Sequence, residues 1–184
     1  MLVVYLPVHV ECSPSIDPTV EEELCKRLSK AGMIVSKMQE SDSAIAYLLL
    51  KIEQSSNDLQ KDFLRDKLKR KISTALRVGG IPWEITHTFT MVFVNLSIKN
   101  LELAKAMRRP MESIILYLKC QSLESLWRLR EMILSGLLLR IFSEAIKQFI
   151  QSQPRVQLVV KREDFNWCVS HFNRAAGMCE AELF

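Results

Sequence analysis

No stretch of this 184-residue chain approaches the ~20 apolar residues that a membrane-spanning helix needs, so none of it is expected to cross a bilayer. Its first residues, MLVVYLPVHVEC, could be taken for the apolar part of a secretion signal. They lack a basic start and a small-x-small cleavage site, and Pro7 and His9 interrupt them, so they read instead as a strand. Glycine and proline are scarce, and there is no internal repeat or low-complexity segment, which argues for one domain over residues 1–184 rather than two. Five cysteines are an odd number without paired spacing, which points to a reduced, cytoplasmic setting rather than a disulfide framework. Charge is nearly balanced: 25 Lys and Arg against 21 Asp and Glu leave +4, short of the imbalance of a dedicated nucleic-acid binder.

Catalytic signatures are missing too. There is no G-x-S-x-G, no Walker A, no H-E-x-x-H and no C-x-x-C, so the chain is not expected to be an enzyme or to carry a metal or cofactor. His9, His87 and His171 fall on three unrelated elements. Cys168 and His171, with Cys179, could face one ion, but a structural zinc site wants four ligands. Cys120, at the end of a strand, reads as a small core hydrophobe.

What is present is apolar periodicity. Almost half the residues are hydrophobic, and a chain of this size buries about 70% of its unfolded surface without any staple. Residues 113–150 organise it. Ile114, Leu116, Leu118 and Cys120 alternate with Ile115, Tyr117 and Lys119, as in a strand. The period then becomes helical, with a stripe of Leu123, Leu126, Trp127, Ile133 and Leu134 behind a Ser122 cap. Gly136 ends it, and a second stripe runs through Leu138, Ile141, Phe142, Ala145, Ile146 and Phe149. In this reading Trp127 fills a helix–sheet contact. Another strand covers 156–161, and a helix with Phe165, Cys168, Val169 and Phe172 inward covers 163–176.

Upstream, residues 2–8 read as a strand, at a sheet edge because of Pro7. Asp17 or Thr19 caps a helix that ends at Gly32; residues 33–38 fit either strand or helix. Ser41 or Ser43 opens a helix carrying Ile45, Leu48, Leu49 and Ile52. After a polar break at 54–58, a stripe of Leu59, Phe63, Leu68, Ile72 and Leu76 runs to Gly79, and Trp83 follows in a loop. Residues 86–96 alternate like a central strand, and 100–107 read as a short helix. The expected fold is therefore an α/β (α+β) two-layer sandwich: a mainly antiparallel sheet of about four strands with stacked helices. Residues 1–80 are its mostly helical part, and 84–176 its core.

The strand ending in Cys120, then SLESLWRL from Ser122, Ser135-Gly136 before two leucines, an amphipathic helix and the strand VQLVV resemble one family. It is the family of N-terminal adaptor domains typified by TRADD, the tumour-necrosis-factor-receptor-associated death-domain adaptor, with related modules in invertebrate immune proteins. The resemblance covers residues 89–172. It implies a non-catalytic protein–protein interaction module in death-receptor (apoptosis) or innate-immune signalling, which binds its partner through the open sheet face. By strand phase Ile115 takes the place of an apolar residue used there.

Strand alternation independently puts Ile115, Tyr117 and Val159, bordered by Lys119 and Lys161, opposite the core-facing set, where they form an apolar-aromatic patch unless the N-terminal helices cover them. The second candidate surface is the basic run Lys61, Arg65, Lys67, Lys69, Arg70 and Lys71. It is either a solvated helix face, paired locally with Asp62 and Asp66, or a site for nucleic acid or an acidic partner. No aromatic side chain is expected among these bases, which weighs against nucleic acid.

Overall fold

Four strands and seven helices follow one another among the described residues, 2–110, 114–150 and 152–177, of the computed structural model. In chain order they are β1 (Val4–Ser13), α1 (Pro18–Ser41), α2 (Ser43–Gln54), α3 (Asp58–Val78), α4 (Trp83–Ile98), β2 (Leu101–Arg108), β3 (Ile114–Cys120), α5 (Leu123–Leu134), α6 (Leu137–Phe149), β4 (Arg155–Val159) and α7 (Arg162–Ala175). The strands form one antiparallel sheet in the order β2-β3-β1-β4. One face carries Val4, Leu6, Val8 and Val10 of β1 with Leu116, Leu118 and Cys120 of β3, all buried in the main core beneath the helices. The architecture is the expected α+β sandwich.

Two elements exchange type relative to the sequence reading. Residues 86–96 belong to helix α4, and 100–107 contain strand β2. The reason is burial. α4 touches β2, α3, α6, α1 and α2, so it has little solvent face and no polar stripe to betray a helical period. Its apolar positions recur on every side, which mimics alternation. Its threonines, poor helix formers, are accommodated by bonding to their own backbone: the Thr86 hydroxyl donates to the Pro82 carbonyl at 2.9 Å and that of Thr90 to Thr86 at 2.6 Å. Asn95 likewise donates to Met91 at 2.7 Å. β2, LELAKAMR, has helix-favouring residues, yet pairing with β3 overrides that weak preference. Ala104 is an extra, bulged residue, so the inward set shifts parity from Leu101 and Leu103 to Ala106.

β1 is an interior strand, not an edge. Pro7 is tolerated because β4 pairs with β1 only from His9 onward, leaving Pro7 with a neighbour on one side. The edges of the sheet are β2 and β4, and α1 covers the β2 edge. Helix α1 is capped by Asp17, whose carboxylate accepts from the Thr19 amide at 2.8 Å, and it runs through Gly32 without a break. Ser29 substitutes for a missing strand: the Ala106 N–H donates to its hydroxyl at 2.9 Å, and that hydroxyl donates to the Ala106 carbonyl at 3.0 Å. One turn on, Gly32 lies against the Leu103 carbonyl, where a Cβ would collide with the oxygen. At the other end Glu21, only 8% exposed, accepts from Arg108 at 3.3 Å. Glu21, Ser29 and Gly32 share one helical face and meet β2 in reverse order. About 16 Å of helix thus runs along about 16 Å of strand.

Asp42, rather than Ser41 or Ser43, caps α2, its carboxylate accepting from the Ala44 amide at 2.9 Å, whereas the turn around α5 follows the sequence. Ser122 caps α5 in a box with Ser125, and Gly136 turns from α5 to α6 at φ 80°. The α5 stripe, however, is rotated from expectation. Leu126, Leu129 and Met132 are buried, whereas Trp127 is 43% exposed, edge-on to Phe165 at 5.6 Å.

Two stability predictions follow from this packing. Ser29→Ala leaves the Ala106 backbone groups unpaired at a part-buried edge and should cost about 1–3 kcal/mol; Gly32→Ala should cost a similar amount by overpacking. Urea denaturation midpoints equal to the parent's would refute the role of α1 as edge cover. Leu129→Ala should cost about 2–5 kcal/mol, and more than Trp127→Ala; the reverse order in the same titration would contradict the observed phase of α5.

Candidate functional site

The outward face of the sheet is built in rows by the strand register. Glu102, Lys119 and Tyr5 lie side by side; then Lys105, Tyr117 and Pro7; then Met107, Ile115, His9 and Val159. The centre is apolar and aromatic, and the margin is charged. The helices that contact β1, β3 and β4 belong to the core side, and α1 meets the sheet along its β2 edge. Helix α1 therefore forms a wall beside this face rather than a lid over it. A groove of about 570 Å³ runs between them, with Met33, Ser36 and Lys37 of α1 facing Tyr5, Glu102 and Lys119.

Strand parity correctly directs Ile115, Tyr117 and Lys119 away from the core, but one exposure differs from expectation. Ile115 is only 1% exposed. Met107 and His9 flank it, and Tyr117 follows on its own strand. Arg109 donates to the Tyr117 hydroxyl at 3.1 Å, a bond that spans the Met107–Ile115 row. Ile115 is thus the floor of the face, and no partner reaches it directly. Tyr117 and Val159 are half-buried, and Tyr5, which sequence reasoning left out of the site, is 48% exposed. Tyr5 was legible, since it alternates with Val4 and Leu6. Lys119 is partly neutralised by Glu102 at 3.5 Å. Lys161 lies beyond the end of β4, immediately before α7, and is exposed at the margin.

The basic run lies on α3, which sets Leu64, Leu68, Ile72 and Leu76 toward the core and leaves Leu59 and Phe63 exposed. The six cations do not form one patch. Lys71 turns toward the α1–α2 junction and pairs with Asp42 at 3.4 Å, and Lys67 sits over the Phe63 ring at 4.7 Å. Lys61 is half-buried near the start of the helix. Arg65 and Lys69 face α4, with Arg77 two turns beyond Lys69 and Arg70 one row further out. Lys69 and Arg77 share a hollow of about 230 Å³ with Trp83 and His87. Aromatic side chains therefore do stand among the bases, contrary to the sequence reading. Trp83 belongs to the first turn of α4, not to a loop, and is 76% exposed.

Neither surface holds a nucleophile–base pair. Burial pushes the thiols up: Cys120 to about 12, and Cys12, Cys25 and Cys168 each to about 11, with Glu21 adding to the shift at Cys12 and Cys25. The His171 ring stacks on Trp167 at 4.9 Å, and Cys179 lies outside the described residues. Among the described residues no three His, Cys, Asp or Glu side chains gather in a way that could hold a metal ion, and no helix is long and apolar enough to cross a membrane. Compared with known protein families, curated proteins and solved structures, the chain matches none.

Because thiolate is the reactive form, Cys12, Cys25, Cys120 and Cys168 should all stay protonated and alkylate slowly at pH 8. Peptide mapping after iodoacetamide should show them labelled far faster in urea than in the native protein. Rapid native labelling of Cys120 would contradict its burial.

Proposed function

We infer that the chain is a non-catalytic, cytoplasmic protein-interaction module whose binding surface is the outward face of the sheet. One observation carries this reading. Among the described residues the helices that pack on the sheet leave one face open, and that face has an apolar-aromatic centre with a charged margin, the usual anatomy of a partner site. Tyr5 and Tyr117 are its anchors, each offering a large ring at low entropic cost. Met107, Pro7 and Val159 complete the apolar floor around Ile115. Lys105, Lys161 and Arg109 supply exposed positive charge at the rim. The fitting occupant is a protein segment with apolar side chains flanked by carboxylates, lying in the trough between α1 and the strands. The resemblance to TRADD-type N-terminal domains supports the same surface and suggests an adaptor in death-receptor or innate-immune signalling.

Tyr5→Ser combined with Tyr117→Ser should leave the fold nearly intact and weaken the partner by about 2 kcal/mol or more. Affinity capture with the parent, this face variant and a variant of the α3 cations identifies the partner. Purified components then give the affinities. A partner held equally well by parent and face variant, at the same affinity, would sink the assignment. Leu116→Asp, which puts an unpaired charge into the core, is the unfolded control.

A further inference from the structure

We propose that the furrow between α3, α4 and α6 is a second site, and that it takes single-stranded nucleic acid. Three hollows share walls here. Lys69 and Arg77 line the first two, and His87 lines the second and third, where Arg65 and Arg140 of α6 close the far end. On α3 the row Arg65, Lys69, Ser73 and Arg77 repeats every four residues, so it forms an inclined ridge that rises about 18 Å along the helix axis. That length matches about five phosphates at the 3.4 Å spacing of a stacked strand.

The charge is concentrated. Helix α3 carries seven cations against three carboxylates, an excess equal to the +4 of the whole chain. Arg65, Lys69, Arg70, Arg77 and Arg140 form no ion pair among the described residues. The carboxylates of Asp66 and Glu144 stand at the margins of the furrow and pair with none of these cations among the described residues, although Arg70 donates from Nε to the Asp66 backbone carbonyl at 3.4 Å.

The second feature is aromatic. Trp83 and His87 are one turn apart on α4 and stand beside Lys69 and Arg77 in the central hollow. The indole of Trp83 is mostly in solvent, where a buried-core role is excluded. A base stacks on such a ring regardless of sequence, while the cations follow the backbone. Helix α4 begins at Trp83 with no side-chain cap, so its positive end adds to the same field, though Glu84 in that turn opposes it. An acidic protein would use the cations but gain little from an exposed indole and imidazole. A duplex presents its bases stacked inside, out of reach of Trp83.

The test is fluorescence anisotropy of a labelled oligouridylate with the full chain at ~50 and ~200 mM salt. A labelled duplex and a labelled polyglutamate run in parallel. The expected result is tightest binding to the single strand, with log K falling by about 0.7 per phosphate as log salt rises. Lys69→Gln with Arg77→Gln should weaken it at least about tenfold and reduce that slope by about 1.4. Trp83→Ala should weaken it about tenfold with the slope unchanged, since stacking releases no counterions. Thermal melting of each variant confirms its fold. No binding at the lower salt, equal binding of polyglutamate, or a Trp83→Ala variant that binds like the parent would overturn the proposal. Tyr5→Ser with Tyr117→Ser should bind the strand normally, so failure here leaves the sheet-face reading standing, and the reverse holds.

Discussion

A helix with little solvent face must be enclosed, and the enclosure of α4 decides the rest of this molecule. Its stripe Ile85, Phe89, Val92 and Leu96 joins the main core. Across the helix, Thr86, His87 and Thr90 meet α3, and Thr88, Met91 and Asn95 meet α6. To surround α4, the helical mass has to gather on one side of the sheet. Among the described residues the opposite face is left without a helical cover for the same reason. α1 cannot cover it either, because its small residues hold it at the β2 edge: any larger residue at Gly32 would drive it from the Leu103 carbonyl. Edge cover and open face are two consequences of one packing problem.

That edge contact also serves solubility. An uncovered strand end exposes unpaired amides that recruit other chains. Ser29 answers both backbone groups of Ala106 with a single hydroxyl, and Arg108 on β2 is matched to nearly buried Glu21 on the same helical face. The bulge at Ala104 belongs to the same arrangement. It lets β2 present Leu103 to the core and Lys105 to the outward face within three residues.

The legibility of the sequence followed exposure. β1, β3, α6 and α7 each have one wet and one dry side, so their periods show: Tyr117 alternates with Leu116 and Leu118, and Phe165, Cys168 and Phe172 recur at helical spacing. α4 was unreadable because its wet side is confined to its first turns, at Trp83, Glu84 and His87, and β2 because its residues favour helix and its bulge breaks alternation at Ala104. Gly32 looked like a helix stop, since local sequence does not show that a carbonyl from seventy residues away needs the space. The sheet-face site was half legible. Parity put Ile115 and Tyr117 on the right side, but Ile115 is covered by neighbours from β1 and β2, whose register only the fold supplies. Trp83 escaped notice as part of the basic surface because it comes from a different helix.

The outward sheet face and the α3–α4 furrow, the two surfaces proposed for recognition, are of different physical kinds. The first is an apolar floor with a partly neutralised rim, so its affinity rests on burial and changes little with salt. The second is a line of cations with no ion pair among the described residues, whose attraction is screened over about 8 Å at physiological ionic strength. They lie on opposite sides of α4, because the furrow opens across that helix from its Phe89 and Leu96 stripe. Anything bound at one surface is separated from the other by a close-packed helix and the sheet, beyond the reach of direct contact or screened charge. Coupling would require α4, which is packed against five other elements, to move as a body. The two proposed surfaces would therefore fill independently, as the proposed adaptor role requires.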